Sequence, residues 1–169
     1  MWNLRKNMQQ HSIRNKTLKV AILGKLPSKY QAPFADTTFQ IWGCNKHLDF
    51  AKLPRFDLWF DLHANPPSYD IDKDKLITSD LYPLNEAIEL LGGCYFNNSI
   101  SYMIAYAILQ GAEEIGLWGA RLDTGEEIRT KQLNNVRELL FFAKGRGIKV
   151  YSYEDNLLAQ YKLYGGFTC

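Results

Sequence analysis

The sequence predicts an α/β protein with a single Rossmann-like domain, containing about five mostly parallel strands with helices on both faces. Three observations lead to this prediction. The chain has 169 residues, which is the size of one ordinary domain. Its 46% hydrophobic and 22% charged residues are typical of a globular protein and exclude a disordered chain. Short apolar runs alternate with segments that have helical apolar spacing, as in βαβ units.

Five apolar runs predict the strands. They are short, rich in branched and aromatic residues, and bounded by glycine or polar residues, as buried strands of a parallel sheet are. They cover residues 18–23, 38–43, 56–62, 115–119 and 148–152. Residues 64–80 contain Pro66, Pro67 and several charged side chains, and are predicted to form a loop or a short excursion from the sheet.

Four segments have the apolar spacing of amphipathic helices. They cover residues 83–91, 100–108, 133–143 and 156–163. Gly92 would end the first of these helices and Gly111 the second. Ser99 is the predicted N-cap of the second helix, because a serine hydroxyl can accept a hydrogen bond from the first turn.

The formal charge of +2 is distributed unevenly along the chain. Residues 1–19 carry five basic side chains and no acidic one, so the remaining 150 residues have a net charge of −3. This predicts two units: a flexible basic arm over residues 1–17 and the Rossmann-like domain over residues 18–169. Such an arm is either a solvated tail or a segment that contacts nucleic acid or a membrane.

Several classes of protein and site are excluded by simple patterns. No run approaches the ~18 apolar residues of a membrane span, and no apolar h-region of a secretory signal follows the N-terminal charges. Cys44, Cys94 and Cys169 form no CxxC pair, and the three histidines form no HExxH motif, so neither a metal site nor a disulfide framework is predicted. Free thiols fit a reducing, cytoplasmic location.

The turn after the first strand is the first candidate binding site, because ligands of open parallel sheets bind at the carboxyl ends of the strands. Gly24 would let the backbone approach a ligand, Ser28 offers a hydroxyl, and Lys25 and Lys29 add positive charge. Together with Pro27 they are predicted to bind a phosphate group. The alternative is an ordinary strand-to-helix turn.

Polar residues also follow the other predicted strands. Asn45 could hydrogen-bond a base or a ribose, and Asp61 with His63 could perform acid–base chemistry, unless His63 is only a surface residue. Asn98 and Ser99 precede the second helix, where they either cap it or present N–H groups to an anion. The last predicted ligand-binding residue, after the fourth strand, is Arg121.

These motifs resemble a known group of proteins. The GxxPS turn at 24–28, the strand that ends in Asn45, and the helix, glycine and strand at 98–119 are similar to the nucleotide-binding part of the sialyltransferase-like superfamily. That superfamily includes the bacterial sialyltransferases that use CMP-sialic acid and the pterin pyrophosphokinase-like proteins. The residues at 32–36, 41–45 and 54–60 resemble those of small uncharacterised phage-encoded proteins of this fold. Because a phage protein acts in its host, this resemblance implies the host cytoplasm as the location.

The resemblance implies a nucleotide in the cleft, with its phosphates against residues 24–28 and its nucleoside near Asn45. Asp61 stands where the sialyltransferases carry a ligand-binding Asn. Those enzymes take a catalytic His from the C-terminal part of the chain, whereas this sequence has no His after His63. Their Gly-x-Asp after the fourth strand is replaced here by a longer spacing, from Gly119 to Asp123.

Three functions follow as hypotheses. The first is a protein that binds a small phosphorylated nucleotide without turning it over, such as a phage anti-defence protein that sequesters a nucleotide immune signal. The second is a glycosyltransferase-like enzyme that uses a nucleotide-activated donor, with His63 and Asp61 as its catalytic residues. The third is an accessory protein that binds nucleic acid through the arm. No cofactor other than a nucleotide-derived ligand is predicted, and a homo-oligomer is the expected assembly.

Overall fold

The structure is a computed structural model that describes residues 17–45, 50–65, 68, 70–93, 96–120, 127–154 and 157–158. It contains one six-stranded sheet in the order β4-β3-β2-β1-β5-β6, and every pair of neighbouring strands is parallel. The strands are β1 (Lys19–Leu23), β2 (Phe39–Cys44), β3 (Leu58–Asp61), β4 (Leu76–Thr78), β5 (Glu114–Trp118) and β6 (Lys149–Ser152). The α-helices are α1 (Leu84–Leu91), α2 (Ser99–Leu109) and α3 (Glu127–Gly145). The predicted α/β class is confirmed.

The structure corrects two details of the sequence prediction. The sheet has six strands rather than five, because β4 lies inside the segment predicted to be a loop. The N-cap of α2 is Asn98, not Ser99: the Asn98 side chain accepts a hydrogen bond of 3.0 Å from the amide of Ser101. Ser99 is instead the first residue of the helix, so its hydroxyl remains available for contacts outside the helix.

The direction of strand addition reverses between β1 and β5. The chain first adds β2, β3 and β4 on one side of β1, and then crosses back to add β5 and β6 on the other side. Because parallel crossovers are right-handed, this reversal sends the connections of the two halves over opposite faces of the sheet. One face is covered by α1, α2 and α3, and the other by segments that contain short 3-10 helices, including Pro27–Gln31.

Two apolar clusters fill the two faces. The larger joins alternate strand residues such as Ile22, Trp42 and Phe60 to the buried sides of α2 and α3. The smaller lies on the opposite face, where Trp59 and Trp118 are covered by loop residues. Strands buried on both faces explain why the sequence shows continuous apolar runs rather than alternation.

Some predictions fall outside the described residues. They concern the basic arm up to residue 16, Cys94, Cys169, Arg121 and most of the final helix at 156–163. In the described part of the chain, no helix is long and apolar enough to cross a membrane. The homo-oligomer, the cytoplasmic location and the division into arm and domain stay predictions.

Candidate functional site

The turns after β1 and β5 meet at the point where the strand order reverses, which is where open α/β sheets bind ligands. The amide of Gly24 donates to the carbonyl of Trp118 at 2.7 Å, and the amide of Leu26 donates to the carbonyl of Gly119 at 3.1 Å. A Cβ atom on Gly24 would lie 2.0 Å from the carbonyl oxygen of Gly119. Glycine is therefore required at position 24 for this close approach.

A carboxylate from the end of β6 is bound at this junction. One oxygen of Glu154 accepts hydrogen bonds from the hydroxyl of Ser28 and, at 2.9 Å, from the amide of Gly119. Its other oxygen accepts from the amide of Ala120 at 3.4 Å. We call the three donors, the Ser28 hydroxyl and the amides of Gly119 and Ala120, the seam site. These donors are suited to an oxyanion, and in this structure the anion is Glu154.

The remaining residues of the predicted phosphate turn have different surroundings. Pro27 is the first residue of the 3-10 helix, and Lys25 is exposed. Lys29 is buried, with its Nζ 5.1 Å from the centre of the Tyr30 ring. The side chain of Lys29 packs beside the turn after β5. Its Cβ lies 3.1 Å from the point that a Cβ atom would occupy if residue 119 were not glycine. Lys29 therefore supports the turn as well as adding charge.

A second set of polar side chains meets at the ends of β2 and β3 and the start of α2. Asn45 has a positive φ of 65°, which asparagine tolerates better than most residues, and its Oδ1 accepts a hydrogen bond of 3.1 Å from the hydroxyl of Ser99. Burial raises the pKa of the neighbouring Cys44 thiol to about 12, against the opposing charge of Lys25 and a hydrogen bond with Ser99. Cys44 is thus a protonated thiol at neutral pH.

Asp61 and His63 form a dyad at the carboxyl end of β3. The side chain of Asp61 is 0% exposed, and its Oδ1 lies 2.5 Å from Nδ1 of His63. The same oxygen accepts a hydrogen bond of 3.2 Å from the amide of His63. The imidazole is 63% exposed. A buried carboxylate that accepts from Nδ1 orients the ring and leaves Nε2 as its basic atom.

His63 lies at the wall of a cleft of about 260 Å³. The cleft combines apolar and polar walls, and its lining residues are Leu62, His63, Phe96, Asn97, Asn98, Ser99 and Tyr102. The rings of Phe96 and Tyr102 are stacked, with centroids 4.4 Å apart and planes 20° apart. Apolar walls with a few placed polar groups are typical of small-molecule sites.

The structure therefore divides the predicted site residues into two groups. Asn45, Asp61, His63, Asn98 and Ser99 come together around the cleft, whereas Gly24, Pro27, Ser28 and Lys29 lie at the junction of β1 and β5. The charge of Lys25 acts on the pKa of the Cys44 thiol, next to Asn45 of the first group. Most of the Asn98 side chain is engaged by the cap and by hydrogen bonds to Ser101 and Asn97.

The sequence prediction missed several residues of these sites, among them Phe96, Tyr102 and Glu154. Phe96 and Tyr102 were not singled out, because an isolated aromatic residue near a helix gives no signal of its own. Glu154 was missed although it follows a predicted strand. Ligands bind at the carboxyl ends of parallel strands, and the same rule applied to the last strand points to Glu154. Among the described residues, no group of three or more His, Cys, Asp or Glu side chains is placed to hold a metal ion.

No protein-family model matches this sequence, and no curated protein matches it. Among solved structures, the fold is similar to the sialyltransferase CstII from Campylobacter jejuni in complex with the substrate analogue CMP-3FNeuAc. That pair has 18% identity and a TM-score of 0.48 over 83% of this chain and 82% of the other. The sialyltransferase CST-II in complex with a trisaccharide acceptor and CMP has 20% identity and a TM-score of 0.44 over the same shares. At this level of likeness, the activity of those enzymes does not transfer to this chain.

Proposed function

We propose that this chain binds a small phosphorylated nucleotide at the carboxyl edge of its sheet and transfers a group from it, with His63 as the general base. One observation carries the proposal: the fully buried Asp61 lies 2.5 Å from Nδ1 of a largely exposed His63 at the wall of a cleft. Burial of a carboxylate costs free energy unless its charge is compensated. A histidine without a chemical role would gain little from such a partner, so the pairing favours a chemical role for His63.

The walls of the cleft suit a nucleoside. Phe96 and Tyr102 offer an apolar surface against which a planar base can lie, and Asn97 and Ser99 offer hydrogen-bonding groups. The seam site, which already binds a carboxylate, provides oxyanion donors for a phosphate at the same edge of the sheet. Together these features favour a ligand that combines a base with an anion.

The reaction follows from the basic atom of the dyad. A hydroxyl of the acceptor gives its proton to Nε2 of His63 while its oxygen bonds to the carbon that is transferred. The bond between that carbon and the phosphate oxygen of the donor breaks, and its electron pair leaves with the nucleotide phosphate. Asp61 holds the ring and stabilises the imidazolium that forms. Water as the acceptor would give hydrolysis by the same steps.

A binding protein without turnover is the second candidate. The observation that favours it is that no His follows His63 in the sequence, whereas the enzymes it resembles take their catalytic His from that part of the chain. Such a protein would lower the free concentration of a nucleotide signal by mass action alone. This role would suit a phage-encoded protein, and the sequence motifs resemble those of phage-encoded proteins.

One experiment separates the two candidates. The protein is incubated with a panel of nucleotide-activated sugars, and nucleotide release is followed by phosphorus NMR. The proposal predicts release that falls by at least about 100-fold in His63→Gln and in Asp61→Asn. Asn65→Ala, which changes an exposed side chain of the same loop, is the matched control and should keep the rate. Stoichiometric binding with the donor recovered intact would overturn the transferase proposal and support the binding protein.

A further inference from the structure

The seam site is an anion site whose occupant belongs to the chain. Its donors come from the turns after β1 and β5, and the Glu154 carboxylate that fills it comes from the end of β6. Glu154 has no other partner of opposite charge among its described contacts, so its charge is balanced there by amide and hydroxyl dipoles. A carboxylate and a phosphate oxygen accept from such donors in the same way.

We propose that Glu154 is an internal competitor, whose carboxylate must leave the seam site before a phosphate of the ligand can occupy it. In taking that phosphate to belong to a nucleotide, the inference rests on the proposed function. The class of ligand group is a phosphate monoester or diester, since its anionic oxygens require the same donors that Glu154 now uses.

The backbone leading to Glu154 is anchored independently of its side chain. The amide of Tyr153 donates to the carbonyl of Leu117 at 2.8 Å, which continues the pairing of β6 with β5. The amide of Glu154 donates to the hydroxyl of Ser152 at 3.2 Å. Rotation of the Glu154 side chain about its own χ angles would therefore open the seam site without unpairing β6.

The competitor should weaken ligand binding by a calculable factor. A ligand that binds only the open state has an apparent dissociation constant equal to the intrinsic one divided by the fraction of open molecules. If Glu154 occupies the site nine-tenths of the time, its removal should tighten binding about tenfold. The same factor applies to every ligand that needs the open site, so the competitor raises the ligand concentration required for binding without changing the preference among ligands.

The test is a titration with inorganic phosphate, followed through the backbone amide resonances of Gly119 and Ala120. In Glu154→Ala the dissociation constant should fall by at least about tenfold relative to the wild type. In Glu154→Gln it should fall by a smaller factor, because the amide oxygen still accepts from Gly119 but carries no charge. Adding Ser28→Ala to Glu154→Ala should weaken binding again by about threefold to tenfold, since one donor is lost.

Glu113→Ala is the matched control. It removes the same charge from the opposite end of β5, where Glu113 is exposed, and should leave phosphate affinity unchanged. The inference would be overturned if Glu154→Ala bound phosphate with the affinity of the wild type. It would also be overturned if phosphate shifted other amide resonances but not those of Gly119 and Ala120. If Glu154→Ala does not fold, Glu154→Gln decides, and affinity equal to the wild type would overturn it.

The phosphate titration and the donor assay fail independently. Phosphate binding at the seam site involves neither donor cleavage nor His63, so a transferase without an internal competitor would lose only the first result. A seam site that binds phosphate in a protein that releases no nucleotide would leave this inference standing and overturn the transferase proposal.

Discussion

A Cβ atom on Gly24 would lie 2.0 Å from the carbonyl oxygen of Gly119, so the turns after β1 and β5 can meet only because position 24 has no side chain. The atom in the way belongs to the backbone, and it accepts a hydrogen bond from the amide of Leu26. Relief of the clash would therefore require the two turns to separate, which would also displace the Gly119 amide of the seam site.

Gly24→Ala should reduce the free energy of unfolding by at least about 3 kcal/mol, because backbone rather than a flexible side chain must move. Urea unfolding followed by circular dichroism measures the change. Gly145→Ala is the control: nothing lies within 4 Å of a Cβ there, and the substitution should be neutral or slightly stabilising. A Gly24→Ala protein as stable as the wild type would contradict the close approach.

Arg55 fixes the loop between the 3-10 helix and β2. Its guanidinium donates to the carbonyls of Phe34, Asp36 and Phe39, each at 2.9 Å, and pairs with the carboxylate of Asp57. Lysine keeps the charge but cannot reproduce the planar fork of donors. We expect Arg55→Lys to lower the free energy of unfolding by about 2–3 kcal/mol.

The control for this substitution is Arg146→Lys. Arg146 is exposed, and its guanidinium lies 5.5 Å from the centre of the Phe142 ring, so the free energy of unfolding should change by less than about 0.5 kcal/mol. Chemical denaturation of both variants under the same conditions provides the comparison. Equal effects of the two substitutions would show that the Arg55 hydrogen bonds contribute no more than a surface charge does.

The buried thiol of Cys44 predicts a loss of stability at alkaline pH. Burial raises its pKa from 9.0 to about 12, so above pH 9 the unfolded chain loses this proton while the folded chain keeps it. The contribution is thus fully present below pH 9 and is lost as the pH rises from 9 toward 12. Between pH 9 and 10 the loss approaches about 1 kcal/mol.

Comparison of the wild type with Cys44→Ala isolates this effect. The pKa values of Tyr82, Tyr106 and Tyr151 are also raised by burial, and these groups are common to both proteins. Denaturation at pH 8, 9 and 10 should show a steeper decline for the wild type than for Cys44→Ala. Parallel declines would contradict a buried, protonated thiol.

The sequence predicted the strands of the core well because each is buried on both faces. The runs that became β1 and β5 are apolar apart from Lys19 and end at Gly24 and Gly119, and both boundaries fall within one residue of the observed ones. β4 could not be found in this way. It has only three residues, all partly exposed, at the edge of the sheet, and charged residues precede it.

The candidate site was predictable only in part, because its two halves depend on strand order. The rule of strand ends selected Asn45 and Asp61 correctly as residues of the carboxyl edge. It could not state that Ser99 would contact Asn45, since that requires α2 to begin above β2. Nor does a local motif reveal that Glu154, 126 residues after Ser28, would bind its hydroxyl.

Ser101 connects α2 to α3 behind the cleft. It is completely buried, and its hydroxyl donates to Oδ1 of Asn135 at 2.6 Å while accepting from the Asn98 side chain at 2.7 Å. Within the described residues, Nδ2 of Asn135 is buried without a hydrogen-bond partner. The Ser101 hydroxyl therefore serves two partners at once, and Asn135 already has one unpaired buried donor beside it in the described part of the chain.

Ser101→Ala should lower the free energy of unfolding by about 1–3 kcal/mol, because it strips buried polar groups of a partner. It should also weaken ligand binding in the cleft, whose residue Asn98 would lose one of the contacts that hold it. Urea denaturation measures the first effect, and Ser79→Ala, at an exposed turn after β4, is the control. Stability within about 0.5 kcal/mol of the wild type would contradict the network, since that is the range of neutral surface changes.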